Sequence, residues 1–299
     1  MSASILMGVT LYLILSVLLV DLLHLFVKLK PKFYGIAAIS LAVLISGYGI
    51  FNSYNLRAEE ITVQIKGITK EVKAMQLSDI HIGHFRGRGL IQKIVEQIKK
   101  HNVDVVFITG DLFDGKIGLN MDVISPLTEL DIPIYFIEGN HEGYTDSEKI
   151  KDELRRTGIR VLEDEVSTWG EFQIIGLNHM LADNKSVDMH TRGNNSTIKD
   201  ILPTLNIKKD KPSILLHHSP DGIKYANEQG VDLFLAGHTH AGQMYPVNYI
   251  AALIFPYNKG LHHYNGTQLY VSEGAGTFGP PLRVGTISEI TVINLKPQK

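Results

Sequence analysis

Two long apolar stretches open the chain, and short apolar runs alternating with helical-period segments fill the rest. The first stretch, Ile5 to Val27, is broken only by Thr10, Ser16, Asp21 and His24. The second, Tyr34 to Phe51, carries no charge. Crossing a bilayer as a helix takes roughly 20 apolar residues, so residues 1–51 are predicted to form a transmembrane helical hairpin. Lys28, Lys30 and Lys32 lie between the two runs, where lysine marks a membrane–water boundary and Pro31 breaks the helix. A cleaved signal peptide would start with positive charge and have a shorter apolar core; Met1 to Ser4 has no positive charge. A buried pair of soluble helices would need partner surface that the remaining sequence does not supply. Asp21 and His24, three apart on one helix face, are expected to reach headgroups or pair with each other. Lysines in a short loop favour the cytoplasmic side, which places the chain from residue 52 onward outside the cytoplasm. Arg57, Lys66, Lys70 and Lys73 follow the second run and partly offset that bias.

From residue 52 the periodicity changes. Ile61 to Ile65 and Glu71 to Leu77 alternate as strands do, and Val103 to Thr109 and Ile132 to Glu138 read as buried strands. Between them, Gly89 to Lys100 puts Leu90, Ile91, Ile94, Val95 and Ile98 on one helical face. Asp146 to Gly158 reads as helix, and Ile159 to Leu162 and Glu171 to Leu177 as strands. After a polar stretch, 184–197, come strand 213–216, helix 221–229 and strands 233–236, 268–272 and 289–295. Strands alternating with helices predict an α/β layered fold for residues 52–299. In such folds chemistry collects in the loops after the carboxyl ends of strands.

Composition narrows the chemistry. The 299 residues carry 29 Lys+Arg against 31 Asp+Glu, so no whole-domain basic charge is available to hold nucleic acid. There is no cysteine, which removes disulfides, zinc–thiolate sites and cysteine nucleophiles. The 13 histidines remain as nitrogen donors for transition metals.

Five predicted strands end in such donors. They lead in turn to Ser78-Asp79-Ile80-His81, to Gly110-Asp111-Leu112-Phe113-Asp114, to Gly139-Asn140-His141-Glu142, to His217-His218-Ser219-Pro220, and to Gly237-His238-Thr239-His240. Carboxylates, a carboxamide and imidazoles at one sheet edge suit a pair of Mn, Zn, Fe or Co ions better than Ca or Mg. Two such ions bind a phosphate ester and lower the pKa of a shared water.

These motifs, in this order, resemble the calcineurin-like metallophosphoesterase superfamily, over about Met75 to Pro281. The resemblance implies an αβ-sandwich domain and a binuclear-metal phosphoesterase that hydrolyses a phosphodiester or pyrophosphate by attack of metal-bound hydroxide. It also implies site roles. Asp79, His81, Asp111 and His240 would hold one of two divalent transition-metal ions, with Asp111 bridging to the second. Asn140, His218 and His238 would complete that second ion. His141 would touch the scissile phosphate and Asp114 would orient it. His217 and His218 are adjacent, and successive strand residues point to opposite faces; the family's His-x-Pro spacing favours His218. The loop 274–281 is similar to one in the membrane-linked branch of the family, alongside phosphodiesterases and UDP-diacylglucosamine pyrophosphatases. Together with the hairpin, this implies a multi-pass cell-membrane protein acting on a phosphate ester, which the anchor makes plausibly lipid-linked. A nuclease, a phosphoprotein phosphatase or a catalytically silent membrane scaffold are the alternatives on the same metal core. The missing basic track weighs against nucleic acid, and the complete ligand set against a silent scaffold.

Other polar residues have plainer expectations. Arg86, Arg88 and Arg283 can meet phosphate or lie in loops, His84 can face the site or lie in a surface loop, His179 can line the substrate side, and His101, His190, His262 and His263 are expected to be ordinary surface or half-buried residues.

Overall fold

The computed structural model describes residues 2–28, 30–115, 121–186 and 196–298. Most of the polar stretch 184–197, His190 included, lies outside the described residues. The two apolar runs form helices α1 (Ser2–His24) and α2 (Pro31–Tyr54), packed side by side. Pro31 sits at the start of α2, where its missing N–H is harmless. Both helices are long and apolar enough to cross a membrane. The ring of His24 packs edge-on against Tyr34 across the turn.

Two six-stranded sheets follow. The first has the order β1 (Leu56–Ile65), β12 (Ser288–Pro297), β2 (Val72–Leu77), β3 (Val105–Thr109), β4 (Ile134–Ile137) and β5 (Arg160–Val161). The second runs β10 (Gly260–Tyr264), β11 (Thr267–Val271), β9 (Leu233–Ala236), β8 (Ser213–Leu216), β7 (Phe172–Gly176) and β6 (Glu165–Trp169). Helices α3 (Arg88–His101), α4 (Asn140–Thr145) and α5 (Ser147–Arg156) belong to the first half. Helices α6 (Ile198–Ile201), α7 (Ile223–Glu228) and α8 (Val247–Ile254) belong to the second. The expected α/β sandwich is therefore present.

The strand pleat builds three cores. Ala74, Val105, Phe107, Tyr135 and Ile137 of the first sheet meet Ile174, Ile214, Leu216, Leu233 and Leu235 of the second. The alternate residues Met75, Leu77, Val106, Ile108 and Phe136 face outward onto Ile91, Ile94 and Ile98 of α3 and Ile150 and Leu154 of α5. On the far side Ile175, Leu215, Phe234 and Leu269 pack on Ile198, Ile223 and Ala226. β2, β3 and β4 are mutually parallel, as are β8 and β9, so each group delivers its loops to one edge. Gln76 stitches the sheets there, donating to the Ala236 carbonyl at 2.8 Å and the Thr109 hydroxyl at 3.0 Å.

The hairpin is bolted to the domain. Asn52 Nδ2 donates to the Arg283 and Thr286 carbonyls at 3.0 and 2.9 Å, and the Arg283 N–H donates to the Gly49 carbonyl at 2.9 Å. The Ser53 carbonyl at the end of α2 accepts from Arg86 and from the Ser288 hydroxyl, both at 2.7 Å, and the Arg86 guanidinium stacks 4.0 Å from the centre of the Tyr54 ring. Cation and helix C-terminus suit each other electrostatically. Leu282 fills the space a Cβ would need at Gly8, and Val284 with Leu282 fills it at Gly49. Replacing Asn52 with Ala strands two buried carbonyls, at a cost of about 2 kcal/mol. The Asn52→Ala protein is expected to melt several degrees lower in detergent; an unchanged midpoint would show that these bonds add nothing.

Candidate metal centre

The residues that end β2, β3 and β9 turn sharply. Asp79, His81, Asp111, His238 and His240 all have φ between 48° and 71°. Left-handed backbone at a non-glycine residue costs about 1–2 kcal/mol, and persists where its surroundings over-determine it. Here those surroundings are hydrogen bonds between the strand ends. The Asp79 and His81 N–H groups donate to the Gly110 and Asp111 carbonyls, and Gly237 N–H donates to the His218 carbonyl. Gly139 and Gly237 are needed for contact: an added Cβ would lie 2.2 Å from Asp111 Oδ1 and 1.9 Å from Ser78 Oγ, respectively.

This folding back brings the side chains together. His81 Nε2 and His240 Nε2 are 3.0 Å apart, and His240 Nε2 is 3.3 Å from Asp79 Oδ1. Asp111 Oδ2 is 3.2 Å from His218 Nε2, 3.8 Å from His81 Nε2 and 3.9 Å from His141 Nε2. His218 Nε2 also lies 3.1 Å from Asn140 Oδ1. Three overlapping groups result: Asp79, His81 and His240; His81, Asp111 and His141; and Asp79, Asp111 and His218. Within each the donor atoms lie inside 4.8 Å of one another. Asp111, shared between groups, is placed to touch both halves. The His238 ring stands edge-on to His218, with centroids 4.9 Å apart, and the His238 main-chain N–H donates to Asp79.

The electrostatics call for cations. Asp79 and Asp111 are almost wholly buried. Burial, and the Asp111 charge after it, raises Asp79 above the usual carboxylate range even with His218 pulling the other way. Burial also acts to raise Asp111, but His218, His141 and His81 outweigh it and hold that carboxyl well below its ordinary value. Burial acts to lower His218, yet Asp111 and Asp79 push it up to about 10. Positive charge is thus drawn into a dry pocket where burial alone would expel it. His81, lowered to about 4 chiefly by burial, and His240, lowered well below its usual value by burial, His81 and Arg283, both stay neutral. Two neutral imidazoles whose Nε2 atoms face each other beside buried carboxylates form a donor set that fits transition-metal ions. His218 Nδ1 sits 2.8 Å from the Thr109 carbonyl, so its proton belongs there and Nε2 faces the cluster.

His141 opens α4 at the rim. Its N–H donates to Asp111 Oδ1 at 2.9 Å, and its Nδ1 is 3.1 Å from Asp114 Oδ1. Burial acts to lower His141, but the Asp114 hydrogen bond and the Asp111, Asp114 and Glu142 charges raise it overall. The same bond holds Asp114 below the carboxylate range.

Other expectations resolve differently. His217 is fully buried and faces away, with Nδ1 2.8 Å from the Ser219 carbonyl and Nε2 accepting the Met180 N–H. His179 lies against His217, His218 and His238, with centroids 5.5–5.9 Å apart. His84 is exposed, and His101 sits 3.4 Å from Glu60. Arg283 is not a phosphate contact. It is fully buried, and its Nη2 is spent on the carbonyls of Glu273, Gly274 and Gly276 at 2.6–3.0 Å. Arg86 grips α2, and Arg88 donates to the Asp122 carbonyl and the Ser125 hydroxyl.

Two positioning residues escaped the sequence reading. Glu142, fully buried, accepts the N–H groups of Gly139, Asp111 and Phe113 at 2.8–3.0 Å; burial and then the Asp111 charge push it up to about 7. It directly follows His141 in the motif, the one signal that marked it. Gln243 clamps the loop over the site, bonding Phe278 through both N–H and carbonyl, and the Pro280 carbonyl.

Comparison with known proteins agrees with this geometry. Residues 72–242 match the family model described as calcineurin-like phosphoesterase. An uncharacterized metallophosphoesterase of Aquifex aeolicus is 32% identical over 269 residues, covering 86% of this chain and 98% of that protein. One from Helicobacter pylori strain J99 is 34% identical over 248 residues, 81% of this chain; this chain spans only 64% of its length. A transmembrane protein with metallophosphoesterase domain from Danio rerio is 31% identical over 281 residues, covering 87% of this chain and 62% of that protein. A family match across most of the domain, with its motifs gathered at one sheet edge, makes this chain a member of the calcineurin-like phosphoesterase family.

Proposed function

We propose that the chain is a membrane-anchored, two-metal phosphoesterase that hydrolyses a phosphodiester or pyrophosphate. The observation that carries this reading is the convergence of donors from Asp79 to His240 into overlapping groups with two buried carboxylates between them. Asp79, His81, Asp111 and His240 would hold one ion, and Asp111, Asn140, His218 and His238 would hold the other. When bound, two such cations supply Lewis acidity for the phosphate oxygens and lower the pKa of a water to a usable range. The protein supplies the rest. Asp114 holds His141 through Nδ1, so His141 Nε2 faces the cluster, stabilises charge developing on the phosphate and donates a proton to the leaving oxygen. Tyr144 and Phe278, with ring centroids each 5.5 Å from that of His141, wall the reacting region.

The ions are read as Mn, Zn or Fe. α1 and α2 are read as spanning the bilayer, with the catalytic domain outside the cytoplasm and the substrate lipid-linked. Two measurements test the reaction. Purified full-length chain in detergent is expected to carry two transition-metal ions, to cleave an aryl phosphodiester, to lose turnover on chelation and to regain it with Mn, while leaving oligonucleotides intact. His141→Ala is expected to lower kcat about a hundredfold with little change in bound metal. Full activity after complete metal removal, or in His141→Ala, overturns the respective assignment. Protease cleavage of the domain in intact cells tests the side of the membrane.

A further inference from the structure

Large apolar side chains are exposed on this domain in one place. Beyond α2, among the described residues, those exposed are Tyr144, Tyr245, Tyr249, Ile250, Leu253, Ile254 and Phe278. Four belong to α8, one to the turn before it, and Tyr144 and Phe278 to the rim of the site. Leu253 is 86% exposed. α8 has no charged residue and no buried one. A surface helix in water carries charge on its outer face, so this face is built for something other than water.

Its position says what. The turn Tyr245–Pro246 leads into α8, and its Tyr245 carbonyl accepts a hydrogen bond from the Tyr12 hydroxyl of α1 at 3.0 Å. The same turn joins Leu15, Leu19, Leu41, Leu44 and Tyr48 around an apolar groove of about 480 Å³. Tyr12 lies about 15 Å along α1 from Ser2, at roughly 1.5 Å per residue, and the hydrocarbon core is about 30 Å thick. The turn therefore meets the hairpin about halfway along α1, well inside its apolar length. α8 runs from there to the catalytic cavity, about 350 Å³, lined by Met7 of α1 and Val247 of α8 together with His141, His238 and His240.

We propose that α8 is a lipid-seated helix: it is set into lipid beside the half of the hairpin that packs on the domain, continues the hairpin's lipid-facing side, and sets the mouth of the cavity lined by His141, His238 and His240 against the membrane. This rests on the reading of α1 and α2 as bilayer-spanning, but not on the phosphoesterase reading. The occupant is lipid, since the face is continuous with the apolar flank of the hairpin and carries no charge to pair with a protein partner. A substrate with an acyl tail then reaches the metals without leaving the bilayer.

The chain has no cysteine, so single spin labels need no background substitution. Full-length Leu253→Cys, Leu44→Cys on α2 and Lys224→Cys on exposed α7 are labelled in phosphatidylcholine nanodiscs. Each is then compared for relaxation by oxygen, which partitions into lipid, and by a nickel chelate, which stays in water. Labels at 253 and 44 are expected to favour oxygen at least threefold over the label at 224. If 44 favours oxygen while 253 behaves like 224, the proposal falls and the spanning hairpin stands. If 44 also behaves like 224, both fall. Shielding of 253 from both relaxants marks a protein interface and overturns the lipid assignment. Ile250→Cys, one turn away, repeats the test where a label at 253 disturbs the helix.

Discussion

Asp111→Asn is expected to cut phosphodiester turnover about a thousandfold, because one carboxylate serves both halves of the cluster. Its Oδ2 lies within 3.2–3.9 Å of His218, His81 and His141, while Oδ1 accepts the His141 N–H. Asparagine keeps the volume and the oxygen that receives that N–H, so the loop keeps its path. It loses the negative charge that draws positive charge into the buried pocket and the second oxygen that two ions would share. The signature is specific: elemental analysis should fall below two metals per chain while far-UV circular dichroism stays unchanged. Undiminished activity with two metals still bound would remove Asp111 from the centre of the reaction.

Gly276→Ala is expected to be the most destabilising single-methyl change near the site, at about 3 kcal/mol or more. A Cβ there would sit 2.1 Å from the Ile80 carbonyl oxygen and 2.7 Å from that of Asp79. Both obstacles are main chain, held at the end of β2, so no side-chain rotation relieves the overlap. The clash also acts on chemistry, since Ile80 lies between Asp79 and His81. Thermal melting should show a fall of several degrees, and metal affinity should drop with it. Gly143, by contrast, has nothing within 4 Å of an added Cβ and makes the control: Gly143→Ala is expected to melt with the parent. A parent-like midpoint for Gly276→Ala would mean that the 274–281 loop is free to move off β2.

The contrast between these positions shows which features the sequence carries. β3, β4, β8 and β9 were readable because buried central strands run as apolar stretches, β2 because Val72 to Leu77 alternates, and the donor residues follow closely on each. The two long apolar helices α1 and α2 were readable from length alone. β6 was not: Glu165 and Thr168 are exposed on an edge strand, so no apolar run announces it. β10 is masked by His262 and His263 for the same reason. α4 begins at Asn140, three residues past the end of β4, and is too short to show a helical period. α8 was not read because it is a short eight-residue segment with no charge to mark an outer face. Arg283 misled because an arginine after a Gly/Pro-rich loop looks the same whether it faces solvent or its own backbone; only the loop's path shows that the carbonyls of Glu273, Gly274 and Gly276 consume it. His217 and His218 differ only by pleat, which one sequence cannot assign.

The bolted hairpin has a consequence for how substrate is found. Asn52, Ser53, Gly49 and Arg86 join the last turn of α2 to the body through both side chains and main chain, leaving no swivel at the junction. On the proposed reading of α1 and α2 as bilayer-spanning, the body cannot tumble above its anchor, and it keeps one height and one tilt. Its encounters are then two-dimensional, set by lateral diffusion of enzyme and amphiphile in the same sheet of lipid. Turnover should therefore follow the mole fraction of substrate in the membrane rather than its concentration in bulk solution.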